Sequence, residues 1–252
     1  MASQYDLIDV ERRDGFALVA FNRPERKNAL VPQLLSEFDA AMKELDEDPA
    51  VKVVVLTGRG ETFCVGLDVA VLQEVGPEPF LPFNPARTIT DWNGPVIAAI
   101  NGLAVTGGFE ITVSCDIILA SDKAAFVDTH SRVGLLPGWG LAVRLQRAIG
   151  IYRAKELELT GRRLPAAEAA DWGLVNRVVP ADELLQVASD MAQTIAIGTT
   201  APSATKSMVD KVSMVPMAEG LVLEHQLGLE YQKAHGRALS FAHVGTSKKQ
   251  SG

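Results

Sequence analysis

Cysteine is scarce in this 252-residue chain: Cys64 and Cys115 stand far apart and in no paired spacing. That argues against a disulfide framework or a cysteine-built zinc site and fits a reducing compartment. Basic charge is also short, with 24 Lys and Arg against 31 Asp and Glu and a net charge of -7. A generally basic surface for nucleic acid is therefore not expected, although a local basic pocket for a phosphorylated ligand is compatible with this balance. No apolar run is long enough to span a bilayer. The opening Met1-Ala-Ser-Gln-Tyr-Asp6 has neither the basic region nor the hydrophobic stretch of a secretion signal, so a cytoplasmic location is expected. There is no internal repeat, no His/Asp/Glu cluster with metal-ligand spacing and no serine in a nucleophile-elbow context. The glycine-rich Thr57-to-Asp68 stretch follows a strand pattern but matches neither the dinucleotide fingerprint nor a P-loop.

Apolar residues make up 47% of the chain, enough for a large core in one domain with a small helical appendage. Residues 5–21 read as two strands turned at Asp14-Gly15. Pro32 opens a helix with Leu34, Leu35, Phe38, Met42 and Leu45 on one face, and Asp48-Pro49 closes it. Val51 to Leu56 is nearly continuous and β-branched, as in a strand covered on both faces of a parallel sheet. Residues 73–87 read as a loop before a short helix. Strands are expected at 96–100, 115–120, 124–127 and 176–179, and helices at 141–149, 151–159 and 165–172. After Pro180 only helical pattern remains, at 182–197, 202–214 and 218–235, ahead of a polar tail expected to be disordered. The fold class is α/β, with an expected boundary that separates 1–195 from a helical 196–252. The exposed apolar faces of that helical part suggest packing on a neighbouring subunit.

Chemistry concentrates in Asn101-Gly-Leu-Ala-Val-Thr-Gly-Gly-Phe-Glu110, where a buried strand runs through glycines into a helix. Such a turn leaves free N–H groups at the helix start. Glu110 stands three residues after Gly107 and shares its helix face, so one segment offers both an anion-binding N–H and a carboxylate base. Taken alone, Glu110 could equally be a solvated first-turn residue that favours the helix dipole.

Six pieces then occur in order: Asn22-Arg-Pro with Asn28-Ala-Leu; Phe63-Cys-Val-Gly-Leu-Asp68; Asn101-Gly with Gly107-Gly-Phe-Glu110; Cys115-Asp-Ile-Ile-Leu-Ala120; Gly134 with Pro137-Gly-Trp-Gly140; and Thr160-Gly with Gly173-Leu-Val175. Together they resemble the crotonase, or enoyl-CoA hydratase/isomerase, superfamily from residue 5 to about 235. The resemblance implies a spiral core of repeated ββα turns, a C-terminal helical trimerisation region, and a homotrimer or a hexamer built from two trimers. It implies an acyl-CoA thioester substrate, with coenzyme A as part of that substrate and no separate cofactor. The oxyanion donors carried over are the Leu67 and Gly107 N–H groups, and Glu110 matches the first catalytic glutamate of the hydratases. The second glutamate is replaced: His130 stands in its place. A histidine there can donate or accept a proton, with Asp128 able to orient it, or it can be a pocket-wall residue. Cys64, Asp68, Thr106, Gly108, Pro137 and Trp139 fall at substrate-side positions. Thr106 stands where glycine is common and could narrow the acyl slot, and Trp139 could line the pocket or pack on the adjacent helix. Arg23, Arg26 and Lys27 are candidate contacts for the CoA phosphates. His225, His235 and His243 read as structural. Hydration of a 2-enoyl-CoA is the leading expectation. The alternatives are double-bond isomerisation with Glu110 alone, His130-assisted carbon–carbon hydrolysis, or a non-catalytic acyl-CoA-binding protein.

Overall fold

A computed structural model of the protein describes residues 5–197 and 201–236. It divides into two compact units, Met1–Ala196 and Ile197–Gly252. The first is built on a six-stranded sheet in the order β1 (Ile8–Arg13), β2 (Phe16–Phe21), β3 (Val53–Gly58), β5 (Val96–Ile100), β7 (Ile117–Ser121), β10 (Arg177–Val179). Only β1 and β2 pair antiparallel, through the Asp14-Gly15 turn; the rest run parallel. The two-residue alternation of side chains explains why the central strands are apolar throughout. Val54, Leu56, Val96, Ala98 and Ile100 join the larger core, while Val53, Val55, Ile97 and Ala99 enter a second cluster under α9 (Leu184–Ala196). Helix α9 lends Leu184, Ala188, Ala192 and Ala196 to that second cluster.

A second, smaller sheet positions the chemistry. It contains β4 (Thr62–Cys64), β6 (Leu103–Val105), β8 (Ala125–Val127) and β9 (Leu164–Pro165) in that order. The first three are parallel, with Leu103 opposite both Thr62 and Ala125. Each turn of the core therefore runs from a large-sheet strand to a small-sheet strand and then to a helix. β5 and β6 lead into α4 (Gly107–Thr112), and β7 and β8 lead into α5 (His130–Val133). The C-terminal ends of β4, β6 and β8 lie side by side, where parallel-sheet folds gather their ligand sites.

The other core helices are α1 (Pro32–Asp46), α2 (Val69–Val75), α3 (Pro85–Asp91), α6 (Leu141–Ile149), α7 (Ile151–Thr160) and α8 (Ala166–Asp171). Several short elements depart from the sequence reading, among them α2, β4 and β6. Helix α2 starts directly after the Gly-rich stretch because Asp68 caps it, its carboxylate accepting the Ala70 and Val71 N–H groups. β4 and β6 form within the glycine-containing stretches, held by partners about forty residues apart rather than by their own pattern. The second unit, considered by itself, contains α10 (Ala201–Ser213) and α11 (Met217–His235), with Met217, Leu221 and Val222 exposed. His235 stacks on Tyr231 in α11. His243 and the tail from Gly245 lie outside the described residues.

Candidate active site

The turn after β4 carries the first candidate donor. Gly66 has φ 83°, and a Cβ there would stand 3.0 Å from the Val105 carbonyl oxygen and 3.2 Å from the Gly107 nitrogen. The turns after β4 and β6 thus touch backbone to backbone, which only glycine permits. Leu30 pairs beside this turn: its N–H donates to the Gly66 carbonyl at 2.8 Å and its carbonyl accepts the Asp68 N–H at 2.9 Å. That bridge uses the groups flanking Leu67 and leaves the Leu67 N–H out of it. Gly107 is the first residue of α4, where an N–H has no intrahelical acceptor. Gly108 follows, packed so tightly that a Cβ would lie 2.2 Å from the Cys64 carbonyl oxygen.

Glu110 is 3% exposed. Its Oε1 accepts the Trp139 N–H at 2.7 Å, and its Oε2 lies 3.6 Å from His130 Nε2. Burial raises its carboxyl above the ordinary range, against the Trp139 N–H, His130 and the Leu141 N–H, which favour the ionised form. A buried acid held high but still hydrogen-bonded as an anion is suited to take up a proton and release it.

His130 is also buried. Asp128 Oδ1 lies 2.6 Å from its Nδ1 and also accepts the His130 N–H at 3.1 Å. The carboxylate is an acceptor, so it takes the Nδ1–H and leaves Nε2 as the nitrogen that faces Glu110. Glu158, on α7, completes the charged neighbourhood. Its carboxyl is raised by burial and then by Asp128, with His130 acting in the opposite sense. Among the described residues its Oε1 is buried without a hydrogen-bond partner. Nothing in the Glu158 sequence context pointed to the site, because the α7 pattern reads as an ordinary surface helix.

The remaining candidates separate into framework and site. Arg23 Nη1 donates to Asp68 at 2.7 Å and to the Ala29 carbonyl at 3.2 Å, and its side chain is 15% exposed. Asp68 in turn is held below the usual carboxylate range chiefly by that Arg23 hydrogen bond, and it caps α2. Arg23 and Asp68 thus tie the Pro24–Asn28 loop to the start of α2. Cys64 packs into the same turn. It is fully buried, its sulfur accepts the Gly66 N–H at 3.4 Å, and burial pushes its thiol up to about 12. Asn28, which the sequence reading left without a role, binds this loop together: its side chain accepts the Arg23 N–H and donates to the Arg59 and Thr62 carbonyls. Arg26 and Lys27 are exposed, with Arg26 3.6 Å from Asp68. Pro137 is half-buried at the start of the turn that brings the Trp139 N–H to Glu110. The Trp139 ring sits over Gly107, 3.0 Å from where its Cβ would be, and so walls the donor as well as packing on the core. Thr106 holds φ 53°, ψ −108°, a region that costs a β-branched residue on the order of 1–3 kcal/mol.

The site thus holds a buried carboxylate and imidazole across from two strand-end turns with spare N–H groups. The Enoyl-CoA hydratase/isomerase family model matches residues 11–242. The chain belongs to that family. Its relatives include a probable peroxisomal enoyl-CoA hydratase of Arabidopsis thaliana, 37% identical over 91% of this chain and 86% of that protein. A probable enoyl-CoA hydratase of Mycobacterium bovis is 38% identical over 88% of both chains. The crystal structure of an enoyl-CoA hydratase from Bacillus anthracis superposes with a TM-score of 0.83 at 32% identity, covering 91% of this chain and 96% of that one. The two-sheet ββα core described above is accordingly the crotonase fold.

Proposed function

We propose that this chain is an enoyl-CoA hydratase, a lyase that adds water across the C2–C3 double bond of a 2-enoyl-CoA to give the 3-hydroxyacyl-CoA. The observation that carries this reading is the buried Glu110–His130 pair, 3.6 Å apart, beside the adjoining Gly66–Leu67 and Thr106–Gly107 turns. In the reaction, the Leu67 and Gly107 N–H groups hold the thioester oxygen and stabilise the enolate charge that develops there, a contribution of roughly 3 kcal/mol per donor. Glu110 takes a proton from water as its oxygen bonds to C3. His130, entering as the imidazolium with its Nδ1–H on Asp128, gives its Nε2 proton to C2, and the proton on Glu110 then passes to Nε2 to restore the starting state. Each turnover consumes one water and leaves the site as it began. Coenzyme A enters as part of the substrate and no other cofactor is required. Arg26 and Lys27, the exposed cations of the Pro24–Asn28 loop, are the candidate phosphate contacts.

A second reading rests on one observation. The Asp128–His130 contact of 2.6 Å fixes the imidazole as a base would be fixed, which suits a carbon–carbon hydrolase of a 1,3-diketone. A homotrimer or hexamer and cytoplasmic residence accompany the first reading, with sedimentation of the purified protein as the check on assembly.

Turnover of a short-chain 2-enoyl-CoA, followed by loss of the conjugated-thioester absorbance, tests the proposal. Activity in the parent that collapses in Glu110→Gln supports it. A parent that binds CoA thioesters but leaves the absorbance unchanged overturns it.

A further inference from the structure

A threonine at a helix N-cap ordinarily turns its hydroxyl onto that helix's own free N–H groups. Two neighbouring caps at this site do otherwise. Thr106 precedes α4 and Thr129 precedes α5, and neither side chain bonds its own helix. Their hydroxyls instead meet at 2.6 Å, and Thr106 Oγ1 also accepts the Thr129 N–H at 3.2 Å. The Thr106 N–H donates to the Val127 carbonyl at 2.8 Å and closes the same junction. Thr106 does this from a backbone conformation that suits glycine far better than a β-branched residue. Such a conformation persists only where the surroundings over-determine it. Glycine would relieve the strain but would offer no hydroxyl.

What the contact joins gives it a use. Thr106 directly precedes the Gly107 donor on the helix that carries Glu110, and Thr129 directly precedes His130. Nε2 of His130 and Oε2 of Glu110 stand 3.6 Å apart on the two helices whose first residues the threonines link. We propose that Thr106 and Thr129 form a clasp that holds His130 in register with Glu110 and with the Gly107 N–H. In this role both are positioning residues, and neither touches the substrate. The inference rests on the hydratase reading above, and it gives Thr106 a different task from narrowing the acyl slot.

The test compares Thr129→Val, which removes the hydroxyl at nearly constant shape, with Thr129→Ser, which keeps it, each alone and with His130→Gln. Misplacing a reacting group by a fraction of an ångström is expected to lower kcat of Thr129→Val by roughly tenfold or more while KM stays within about twofold. Thr129→Ser should retain most of the parental kcat. In the His130→Gln background, Thr129→Val should cost nothing further, because the group it positions is gone. Equal losses in both backgrounds, or a serine variant as poor as the valine one, would overturn the proposal. A second readout does not depend on turnover: the NMR resonances of the His130 ring, which lies 2.6 Å from Asp128 and 3.6 Å from Glu110. At one fixed pH those resonances should move in Thr129→Val and return in Thr129→Ser. If the parent hydrates no enoyl-CoA, the functional reading fails by itself, and unmoved His130 ring resonances are then the result that removes the clasp.

Discussion

Gly108→Ala is a one-carbon change aimed at the spacing of the Leu67 and Gly107 N–H groups, the proposed oxyanion donors. Its Cβ would stand 2.2 Å from the Cys64 carbonyl oxygen and 2.9 Å from both the carbonyl carbon and Cys64 Cβ. Real Cβ contacts do not fall below 3.0 Å, so the two segments must part by about 0.8 Å. Neither side can yield cheaply: one is the end of β4 and the other is the first turn of α4, both buried. Forced overpacking of this kind costs roughly 1–3 kcal/mol. The same movement carries the Gly107 N–H away from the Leu67 N–H, and a displacement near 1 Å at reacting groups costs on the order of a hundredfold in rate. The expected variant folds, melts several degrees lower, and loses about two orders of magnitude in kcat/KM on a 2-enoyl-CoA. Steady-state kinetics and thermal unfolding on the same preparation measure both. Parental kcat/KM in a variant of parental stability would refute the argument that donor spacing is set by this contact.

Glu110→Gln should lower kcat by roughly 10²–10⁴-fold, the usual share of a general base. It should also gain stability over the parent as pH rises. Burial lifts the folded-state pKa of Glu110 above its unfolded value, so its favourable contribution is complete below the unfolded pKa and is lost as pH rises through the folded one. Chemical denaturation at acidic and neutral pH checks this, and a gap that narrows toward neutrality would contradict it. Asp68→Ala removes the α2 cap and the partner of Arg23, for a loss of at least about 1 kcal/mol at neutral pH. Because Arg23 depresses the Asp68 pKa, that stabilisation is present above the unfolded pKa and disappears as pH falls through the folded one, so the two proteins should converge in acid. Cys64, with its thiol pushed up to about 12 and no exposed surface, should resist alkylation at pH 8 until the protein is unfolded. Labelling of both cysteines in the folded protein would argue against the packing described around β4.

The long elements were legible because each carries its own period. α1 repeats its apolar face, and β3 opens on three consecutive valines. The site was legible where its geometry is local: Gly107 and Glu110 share a helix face by spacing alone. The three-residue strands β4 and β6 have no period to read and exist only through their pairing with distant segments. The same limit hides the ion pair of Arg23. Its partner Asp68 lies 45 residues away, and no pattern in either segment indicates the pairing. Asp128 meets His130 across the strand-to-helix turn, one oxygen accepting both the His130 N–H and its Nδ1–H. Glu158 reaches the charged cluster from another helix, and proximity of that kind is set by packing.

The hydration of a 2-enoyl-CoA in D₂O, with the product observed by ¹H NMR, tests the central claim most directly. The account predicts a 3-hydroxyacyl-CoA with a single deuterium at C2, formed by the parent and abolished in Glu110→Gln. A double bond moved to C3 with no hydroxyl product, or an unaltered thioester that nonetheless binds, would contradict it.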